Sequence, residues 1–384
     1  MTSAPLDVAI VGGGIVGCAC AHAASRAGLR VAVFESRRVG AGATAAAMGH
    51  LVTIDDDPAE FALARLSMRL WREWDGWADI ERRTTGTLWL AENDAQRRAA
   101  LAKQARLQAA GLEADWLRAE DLDNVEPRLA RDLAGALRVA SDEVVFGPEM
   151  ATRLAADVRA AGGRVEEMRP VTALHDDGLQ LADGTRVSAG LVLLAAGCDS
   201  ARLWPGESAL PVRPRKGQLA ITDRYPGFVN HQLVELGYLK SAHSITTDSV
   251  AFNVQPRQSG QVLIGSSRQY GNNDPAVDQA LLTAMLARAA LYMPSIGPLK
   301  VLRVWTGFRA ATPDKLPLIG PVPGDPTLWL ATGHEGLGIT TSLATAELVA
   351  QTLTGSTPTV APDPYLPARF SPAPNQEIAL QEKL

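Results

Sequence analysis

The chain has 384 residues, a net charge of −5 and 46% hydrophobic residues, a composition typical of a globular α/β protein. This length predicts two domains with enough apolar sequence to form a core. The mild acidity gives no reason to expect nucleic acid as a partner. No run of about 18 consecutive apolar residues occurs, so we expect no transmembrane segment. The apolar N-terminus lacks the basic region of a signal peptide.

The three cysteines are Cys18, Cys20 and Cys198. Cys18 and Cys20 are two residues apart on a predicted helix and point to different faces, so they form neither a disulfide nor a metal pair. No metal-ligand spacing is found elsewhere, and we expect no metal. This use of cysteine indicates a reduced, cytoplasmic setting, with peripheral attachment to the inner membrane through a partner left open.

Residues 6–35 have the pattern strand, glycine turn, helix, strand. The turn places Gly12, Gly14 and Gly17 in the spacing Gly-x-Gly-x-x-Gly, and the second strand ends on Glu35. The glycines permit a tight turn, close approach to a pyrophosphate and close helix packing. Free N–H groups at the helix start favour phosphate. An acid at the end of the second strand suits a ribose hydroxyl and argues against NADP. The segment therefore predicts a dinucleotide site.

The following stretch, 36–51, is rich in glycine and alanine and suits a backbone that passes close to a flat ligand. Asp57 and Pro58 predict the start of a helix over about 59–77, whose apolar and aromatic residues belong in the core. Periodicity and turn residues then predict strands at 86–91, 164–167, 171–175, 179–181, 186–188 and 191–195, a short β-like piece with turns at 139–148, and helices at 94–110 and 148–161.

The middle of the chain, 211–300, alternates in polarity, which predicts an antiparallel sheet with a helix at 278–291. The expected fold class is α/β, with a Rossmann-like FAD-binding domain and a mixed, largely antiparallel substrate domain (an α+β layer). The predicted division is residues 1–84, 148–212 and 304–370 for the FAD-binding domain, 85–147 and 213–303 for the substrate domain, and 371–384 for a loosely ordered tail.

The cofactor is expected to be a single dinucleotide. A second glycine motif in mid-chain would indicate a separate nicotinamide domain, but residues 194–197 lack that spacing. The dinucleotide is therefore expected to be FAD, and the flavin must meet an organic substrate directly.

Several further motifs occur in an order that resembles the D-amino-acid oxidase superfamily of FAD enzymes. In chain order they are 40–44 (GAGAT), 47–50 (AMGH), 194–197 (LAAG), 216–218 (KGQ), 307–314 (GFRAATPD), 316–320 (LPLIG) and 332–339 (TGHEGLGI). The resemblance covers about residues 6–368 and is strongest to the glycine oxidase and D-amino-acid dehydrogenase branch. Segments 252–257, 265–268 and 333–341 are most similar to hydroxyproline dehydrogenase, cyanide-forming glycine dehydrogenase and opine oxidase subunits.

The resemblance implies which residues bind FAD. They are Gly12, Gly14, Ile15, Val16, Gly17, Glu35, Ser36, Arg37, Gly42, Ala43, Thr44, Ala47, Met48, Gly49, His50, Val171, Ala196, Gly197, Gly307, Arg309, His334, Glu335, Gly336, Leu337, Gly338, Ile339 and Thr340. The helix start near Gly338 is implied to stabilise negative charge on the reduced flavin. Non-covalent FAD is expected, because no cysteine lies within 305–314, where the monomeric sarcosine oxidase branch attaches it.

The resemblance also implies the substrate contacts. Arg309 corresponds to the arginine that binds the substrate carboxylate, for which a planar guanidinium is well suited. Ala310 replaces the family's usual proline, and Gly336 stands where glycine oxidase has an arginine, which argues against copying that enzyme's substrate choice. His50 is a further catalytic candidate, through flavin contact or titration near neutral pH, with a structural hydrogen bond as the alternative. Tyr238 is a candidate for closing the pocket.

The expected activity is FAD-dependent dehydrogenation of an amino acid by hydride transfer from Cα to flavin N5. The resemblance points to a D-amino acid such as D-proline or cis-4-hydroxy-D-proline. One alternative is an opine or glycine/sarcosine oxidase subunit of a heteromeric complex. Another alternative is a non-catalytic, flavin-bound subunit for assembly or redox sensing. Such a subunit would not need Arg309, so the presence of Arg309 in its motif favours the enzyme. The relatives imply an acceptor other than oxygen, with iron–sulfur and flavoprotein electron-transfer subunits as partners.

Overall fold

The protein is described from a computed structural model over residues 5–53, 57–206, 208–237 and 248–370. The strands are β1 (Leu6–Val11), β2 (Val31–Phe34), β3 (His50–Leu51), β4 (Arg82–Arg83), β5 (Thr87–Ala91), β6 (Ala114–Arg118), β7 (Gly135–Val139), β8 (Glu143–Val145), β9 (Arg164–Glu166), β10 (Val171–His175), β11 (Gly178–Leu181), β12 (Arg186–Leu194), β13 (Arg213–Arg224), β14 (Gln232–Glu235), β15 (Ser249–Pro256), β16 (Gln261–Tyr270), β17 (Val301–Ala311), β18 (Leu318–Val322) and β19 (Asp325–Thr332). The helices are α1 (Ile15–Arg26), α2 (Ala43–Ala46), α3 (Pro58–Glu73), α4 (Asp94–Ala109), α5 (Ala119–Val125), α6 (Gly147–Ala160), α7 (Ser200–Leu203), α8 (Gln279–Tyr292) and α9 (Gly338–Leu353).

The first sheet has a parallel, Rossmann-like centre. Its strands β9, β2, β1, β12 and β19 lie side by side and run parallel. The antiparallel strand β18 extends it beyond β19, and the β10–β11 hairpin pairs with the first half of β12. Helix α1 packs against α6 and α9, and α9 packs against α3. Strands β1 and β2 are almost wholly buried, as expected for parallel strands covered on both faces.

The second sheet carries the order β17, β13, β16, β15, β14, β5, β7, β6. Its neighbours are antiparallel except for the parallel pair β14 and β5. Helix α8 packs on β15 and β16. This is the mixed, largely antiparallel layer predicted from the sequence, and the α/β fold class is confirmed.

Two predicted elements differ from the structure. The segments 186–188 and 191–195 are one strand, β12, because its first half pairs with the hairpin and its second half with β1. The helix predicted over 59–77 ends at Glu73. Trp74 is extended there (φ −69°, ψ 130°), and its ring packs against those of Trp71 and Trp77 at centroid distances of 5.1 Å.

The sequence predicted that the chain re-enters the first domain at residue 304, but the chain rejoins the first sheet only at β18. Strand β17 pairs along its length with β13, so residues 304–311 belong to the second sheet. Strand β18 is the first after it to join the first sheet. The division into two domains stays a prediction, and the tail 371–384 lies outside the described residues. Among the helices that the structure describes, none has both the length and the apolar character needed to cross a membrane.

Candidate active site

The glycine turn after β1 leaves no room for side chains. Gly12 has φ +109°, and a Cβ there would lie 2.6 Å from the carbonyl oxygen of Ala195. A Cβ on Gly17 would overlap the carbonyl oxygen of Gly12. The tight turn and the close approach of helix α1 to the sheet therefore both require glycine.

Glu35 directly follows β2 and lies against this turn. Its Oε2 accepts a hydrogen bond from the Gly13 N–H at 2.6 Å, and its Oε1 accepts from the Arg37 N–H at 2.8 Å. The Ser36 hydroxyl donates to the same Oε1 at 3.3 Å. The carboxylate is thus held at the edge of the glycine turn, where a ribose hydroxyl would be bound.

Helix α1 begins beside the same turn. Gly14 is its N-cap and offers no capping side chain, and no acidic residue lies in the first helical turn. The Ile15 N–H donates to Thr44 Oγ1 at 3.0 Å, so the segment that carries α2 reaches the helix start. A helix N-terminus next to a glycine turn is a binding site for phosphate groups. Turn, helix start and carboxylate together fit the dinucleotide part of FAD.

Other predicted cofactor residues lie near this turn. Val11 pairs with Leu194 across β1 and β12, which brings Ala196 and Gly197 to the same edge of the sheet as Gly12. Gly197 has φ +57° and opens a short 3-10 turn. On the other side, the Arg169 N–H donates to the carbonyl oxygen of Glu35 at 2.8 Å. Val171, buried at the start of β10, follows two residues later.

His50 lies in a network that sequence analysis did not predict. The side-chain NH₂ of Gln255 donates to the Met48 carbonyl oxygen at 2.6 Å, so its Oε1 accepts from His50 Nε2–H, also at 2.6 Å. Burial lowers the pKa of His50 to about 4. Desolvation favours the neutral ring, which argues against titration of His50 near neutral pH. A polar residue within the apolar pattern of β15 was the one signal for Gln255.

The second sheet lies directly against segment 46–50. A Cβ on Gly307 would overlap the Cβ of Ala46, and the Trp305 Nε1–H donates to the Ala46 carbonyl oxygen at 3.2 Å. A Cβ on Gly265 would lie 3.1 Å from Met48 Sδ. The contact between this segment and strands β16 and β17 is thus close enough to require small residues.

Arg309 lies on the face of β17 that is turned towards this contact. It is partly buried, and its Nη1 donates to the Ser267 carbonyl oxygen at 3.2 Å. Its guanidinium lies over Gly217, where a Cβ would be 2.5 Å from Nη1. Gly217 therefore provides the space that Arg309 occupies.

Two further arginines accompany Arg309 on the same face. Arg309 pairs across strands with Arg215, and Arg215 pairs with Tyr270, so the three side chains point to one side of the sheet. Arg268, two residues before Tyr270, shares that side. Arg215 and Arg268 are each only 2% exposed, and the Arg215 guanidinium lies 4.6 Å from the centroid of the Tyr270 ring. We call Arg215, Arg268 and Arg309 the arginine cluster.

Glu335 is the acidic residue of this cluster. Its Oε1 accepts from Arg215 Nη1 at 2.7 Å, and its Oε2 accepts from the Gly336 N–H at 2.6 Å. Burial would raise the pKa of Glu335, but the positive charges of Arg268, Arg309 and Arg215 outweigh it and hold the pKa at about 2. Glu335 is therefore ionised at any pH at which the protein would be assayed.

The loop before α9 completes the site. Gly333 has φ +82°, and a Cβ there would lie 2.6 Å from Thr312 Cγ2. His334 shares a hydrogen bond of 2.9 Å with Thr345 Oγ1, and burial lowers its pKa to about 3, so it is neutral. A Cβ on Gly336 would meet no described atom within 4 Å. The loop therefore has no room for a side chain at Gly333, whereas a side chain at Gly336 would meet no described atom.

The start of α9 reaches the segment around His50. The Thr340 hydroxyl donates to the His50 carbonyl oxygen at 2.9 Å, and Trp71 Nε1–H donates to the Ile339 carbonyl oxygen at 3.3 Å. No side chain of the described chain caps this helix, whose first residue is Gly338. Its N–H groups are therefore available to a ligand carrying negative charge.

The structure brings together most of the residues predicted from the sequence. Five predicted segments lie close together between the two sheets, and Arg309 faces them from strand β17 of the second sheet. The segments are 12–17, 35–37, 42–50, 196–197 and 333–340. Tyr238, predicted to close the pocket, lies outside the described residues. Sequence analysis missed Arg215 and Arg268. The signals for them were a charged residue within each buried strand and, for Arg268, its place in segment 265–268, which resembles the family.

Comparison with known proteins agrees with this architecture. Residues 7–352 match the DAO family of FAD dependent oxidoreductases. Hydrogen cyanide synthase subunit HcnC of Pseudomonas aeruginosa is 26% identical, with 96% of this chain and 97% of the relative covered. Glycine oxidase of Geobacillus kaustophilus is 30% identical, with 90% of this chain and 92% of the relative covered.

Solved structures share the fold over nearly the whole chain. The crystal structure of glycine oxidase from Geobacillus kaustophilus has a TM-score of 0.84 at 28% identity and covers 96% of this chain and 100% of its own. L-proline dehydrogenase from P. horikoshii has a TM-score of 0.85 at 22% identity, covering 95% and 98%, which shows the fold alone. The dinucleotide turn, the two sheets and the family match lead to one conclusion: the chain belongs to the DAO family of FAD-dependent oxidoreductases and is an enzyme of amine or amino-acid oxidation.

Proposed function

We propose that this enzyme oxidises the Cα–N bond of an α-amino acid whose carboxylate binds to Arg309. The observation that carries the proposal is the position of the Arg309 guanidinium, partly buried over Gly217 on the wall that faces segment 46–50. A planar guanidinium in such a place binds a carboxylate with two parallel hydrogen bonds. The substrate is then held by one end, with its Cα–H directed into the space between the sheets.

FAD, when bound, supplies the acceptor for the hydride that leaves the substrate Cα. The protein contributes position and electrostatics. Arg309 orients the substrate, while the open N–H groups at the start of α9 stabilise negative charge beside Gly336 and Gly338. The Glu35 carboxylate and the glycine turn hold the dinucleotide.

No strong general base is needed for this reaction if the amine binds in its neutral form. His50 and His334 have pKa values lowered to about 4 and about 3, and each uses its Nε2 in a hydrogen bond. Glu335 is a weak base because the arginine cluster holds its pKa at about 2. The amine therefore loses its proton to solvent before it binds, and activity rises with pH as the neutral amine becomes more abundant.

D-proline and cis-4-hydroxy-D-proline are the substrates that we propose first, with hydride leaving Cα to give a cyclic imine. Glycine is the second candidate, and the glycine oxidase relatives favour it. Opines and sarcosine remain further alternatives. The finding that bears on partners is the name of one relative, a hydrogen cyanide synthase subunit. On that basis we propose that this chain is a subunit of a heteromeric complex. The family resemblance of the sequence is the ground on which we propose an acceptor other than oxygen and iron–sulfur and flavoprotein subunits as partners.

Anaerobic reduction of the FAD-loaded protein tests the proposal. The flavin absorbance is followed after mixing with D- and L-proline, cis-4-hydroxy-D-proline, glycine, sarcosine and opines. Rapid bleaching by the D-imino acids supports the first candidate, and bleaching by glycine alone moves the enzyme to the second. No bleaching by any amino acid, with FAD bound stoichiometrically, would refute catalysis by this chain alone and favour an assembly or redox-sensing role.

A further inference from the structure

The arginine cluster already contains one carboxylate, that of Glu335. This carboxylate lies on Arg215, the immediate cross-strand neighbour of Arg309. A substrate carboxylate bound to Arg309 would therefore lie close to the Glu335 carboxylate. Of these two neighbouring arginines, Arg215 is already paired with a carboxylate of the protein itself.

We infer that Glu335 makes the site select amino acids with a single carboxylate, because it occupies on Arg215 the place that a second substrate carboxylate would need. The inference deepens the proposed function and rests on it, since it takes Arg309 as the site of the first carboxylate. It assigns to Glu335 a role in substrate specificity. It also separates the proposed substrates, because D-proline and glycine carry one carboxylate and most opines carry two.

The backbone holds Glu335 in this position. Its backbone φ of +47° lies in the left-handed region, which residues other than Gly, Asn and Asp seldom adopt. The Glu335 N–H donates to the Ala310 carbonyl oxygen at 2.9 Å, and its Oε2 is held by the Gly336 N–H. The Gly336 N–H and Arg215 therefore each hold one carboxylate oxygen, while strand β17 holds the backbone of Glu335, so a second substrate carboxylate cannot displace it without cost.

The charges of the cluster point the same way. Three guanidinium groups surround one carboxylate, and their positive charges keep Glu335 ionised although its side chain is largely removed from solvent. One substrate carboxylate adds a favourable partner to this arrangement. A second would lie next to Glu335 in a poorly solvated site, where like charges repel strongly.

Binding of non-oxidisable carboxylates to the oxidised, FAD-loaded protein tests the inference. The ligands are matched pairs in which a methyl group replaces one carboxylate: butyrate with succinate, and valerate with glutarate. The change in flavin absorbance gives each Kd. In the unmodified protein we expect each monocarboxylate to bind about tenfold or more tightly than its dicarboxylate partner. A dicarboxylate that binds as tightly as its partner would overturn the inference.

The variant Glu335→Gln keeps the size of the side chain and removes its charge. We expect it to strengthen succinate binding by about tenfold or more and butyrate binding by no more than about threefold. An equal gain for both ligands would mean that Glu335 acts only through the overall charge of the site. Glu120→Gln is the matched control, since it removes the same charge from an exposed ion pair with Arg118. It should leave both Kd values unchanged.

Failure of this inference can be told apart from failure of the proposed function. Arg309→Met should abolish binding of butyrate if Arg309 is the first carboxylate site. If Arg309→Met binds butyrate normally, the proposed function is wrong. If that variant loses butyrate while Glu335→Gln leaves the ratio of the two Kd values unchanged, only the role of Glu335 is wrong. The measurements on the unmodified protein need no variant, so poor folding of Glu335→Gln would not remove the test.

Discussion

The assignment of Arg309 as the carboxylate site leads to a prediction that can be worked out from its surroundings. Replacing Arg309 by Met keeps an unbranched side chain over Gly217 but removes the guanidinium. Removing one partner of a buried, charge-assisted pair costs about 2–5 kcal/mol. Arg309 is partly buried, so we expect a value in the middle of this range, about 3–4 kcal/mol. At 1.36 kcal/mol per factor of ten, this is a loss of about 10²- to 10³-fold in the rate constant for flavin reduction divided by Kd.

Stopped-flow reduction of the FAD-loaded protein measures this loss, and the substrate supplies its own control. D-proline should show the full effect, whereas pyrrolidine, the same amine without the carboxylate, should react equally poorly with both proteins. Arg224→Met removes an exposed arginine from the far end of β13 and should change neither rate. An equal loss for D-proline and pyrrolidine would refute the carboxylate contact and point to a general disturbance of the site.

Gly217→Ala approaches the same contact from the other side. Its Cβ would lie 2.5 Å from Arg309 Nη1 and 2.9 Å from the Ser267 carbonyl oxygen, so the guanidinium must move. A displacement of about 1 Å at a positioning group costs about 10²-fold in rate. FAD should stay bound in this variant, since the glycine turn that holds it is unchanged.

Two predictions concern the cofactor turn and the buried histidine. Gly17→Ala places a Cβ on the Gly12 carbonyl oxygen, and we expect it to lower the free energy of unfolding by about 1–3 kcal/mol and to release FAD, as measured by retained flavin and Tm. His334 is neutral in the fold, with a pKa of about 3 against 6.5 as its ordinary value. The unfolded chain therefore binds a proton that the folded chain does not, and stability is lost as the pH falls below about 6.5. At about pH 5.5 this proton lowers the free energy of unfolding by about 1.4 kcal/mol. Between about pH 7.5 and 5.5, the free energy of unfolding of His334→Gln should therefore fall by about 1.4 kcal/mol less than that of the unmodified protein, as measured by urea denaturation.

Each of these has a result that would contradict it. Gly297→Ala is the control for the turn, because Gly297 has φ −53° and the nearest atom to an added Cβ is the Pro294 carbonyl oxygen at 3.6 Å. If Gly17→Ala retained FAD and stability as well as this control, the close packing of α1 on the turn would not matter. If His334→Gln lost stability with falling pH as steeply as the unmodified protein, His334 would be protonated in the fold.

The sequence predicted the parts of this protein whose chemistry is local. The glycine turn, helix α1 and Glu35 lie within about 30 residues, and the spacing alone relates them because a strand–turn–helix unit has one geometry. Arg309 could be proposed because the residues around it match a family motif. The helix before Trp74 was predicted too long for the opposite reason, since packing of three indole rings, not periodicity, ends it.

Only the tertiary structure decided what surrounds Arg309. Arg215, Arg268 and Glu335 are distant in the chain and meet because β13 lies between β16 and β17 in one particular register. Alternation of polar and apolar residues predicts strands, but it does not say which residues face one another, since that depends on the pairing of whole strands.

The protonation states of the site were decided in the same way. Desolvation by the fold lowers the pKa of His50 to about 4 and favours the neutral ring, even though the hydrogen bond to Gln255, 205 residues away, acts in the opposite direction. Glu335 is ionised because three arginines from three strands, β13, β16 and β17, surround it. The sequence by itself therefore determined the cofactor and the family, and it led to the proposal of Arg309 as the first substrate contact, because all three depend on short motifs. The charge balance around Arg309 depends on long-range packing, which no local pattern encodes.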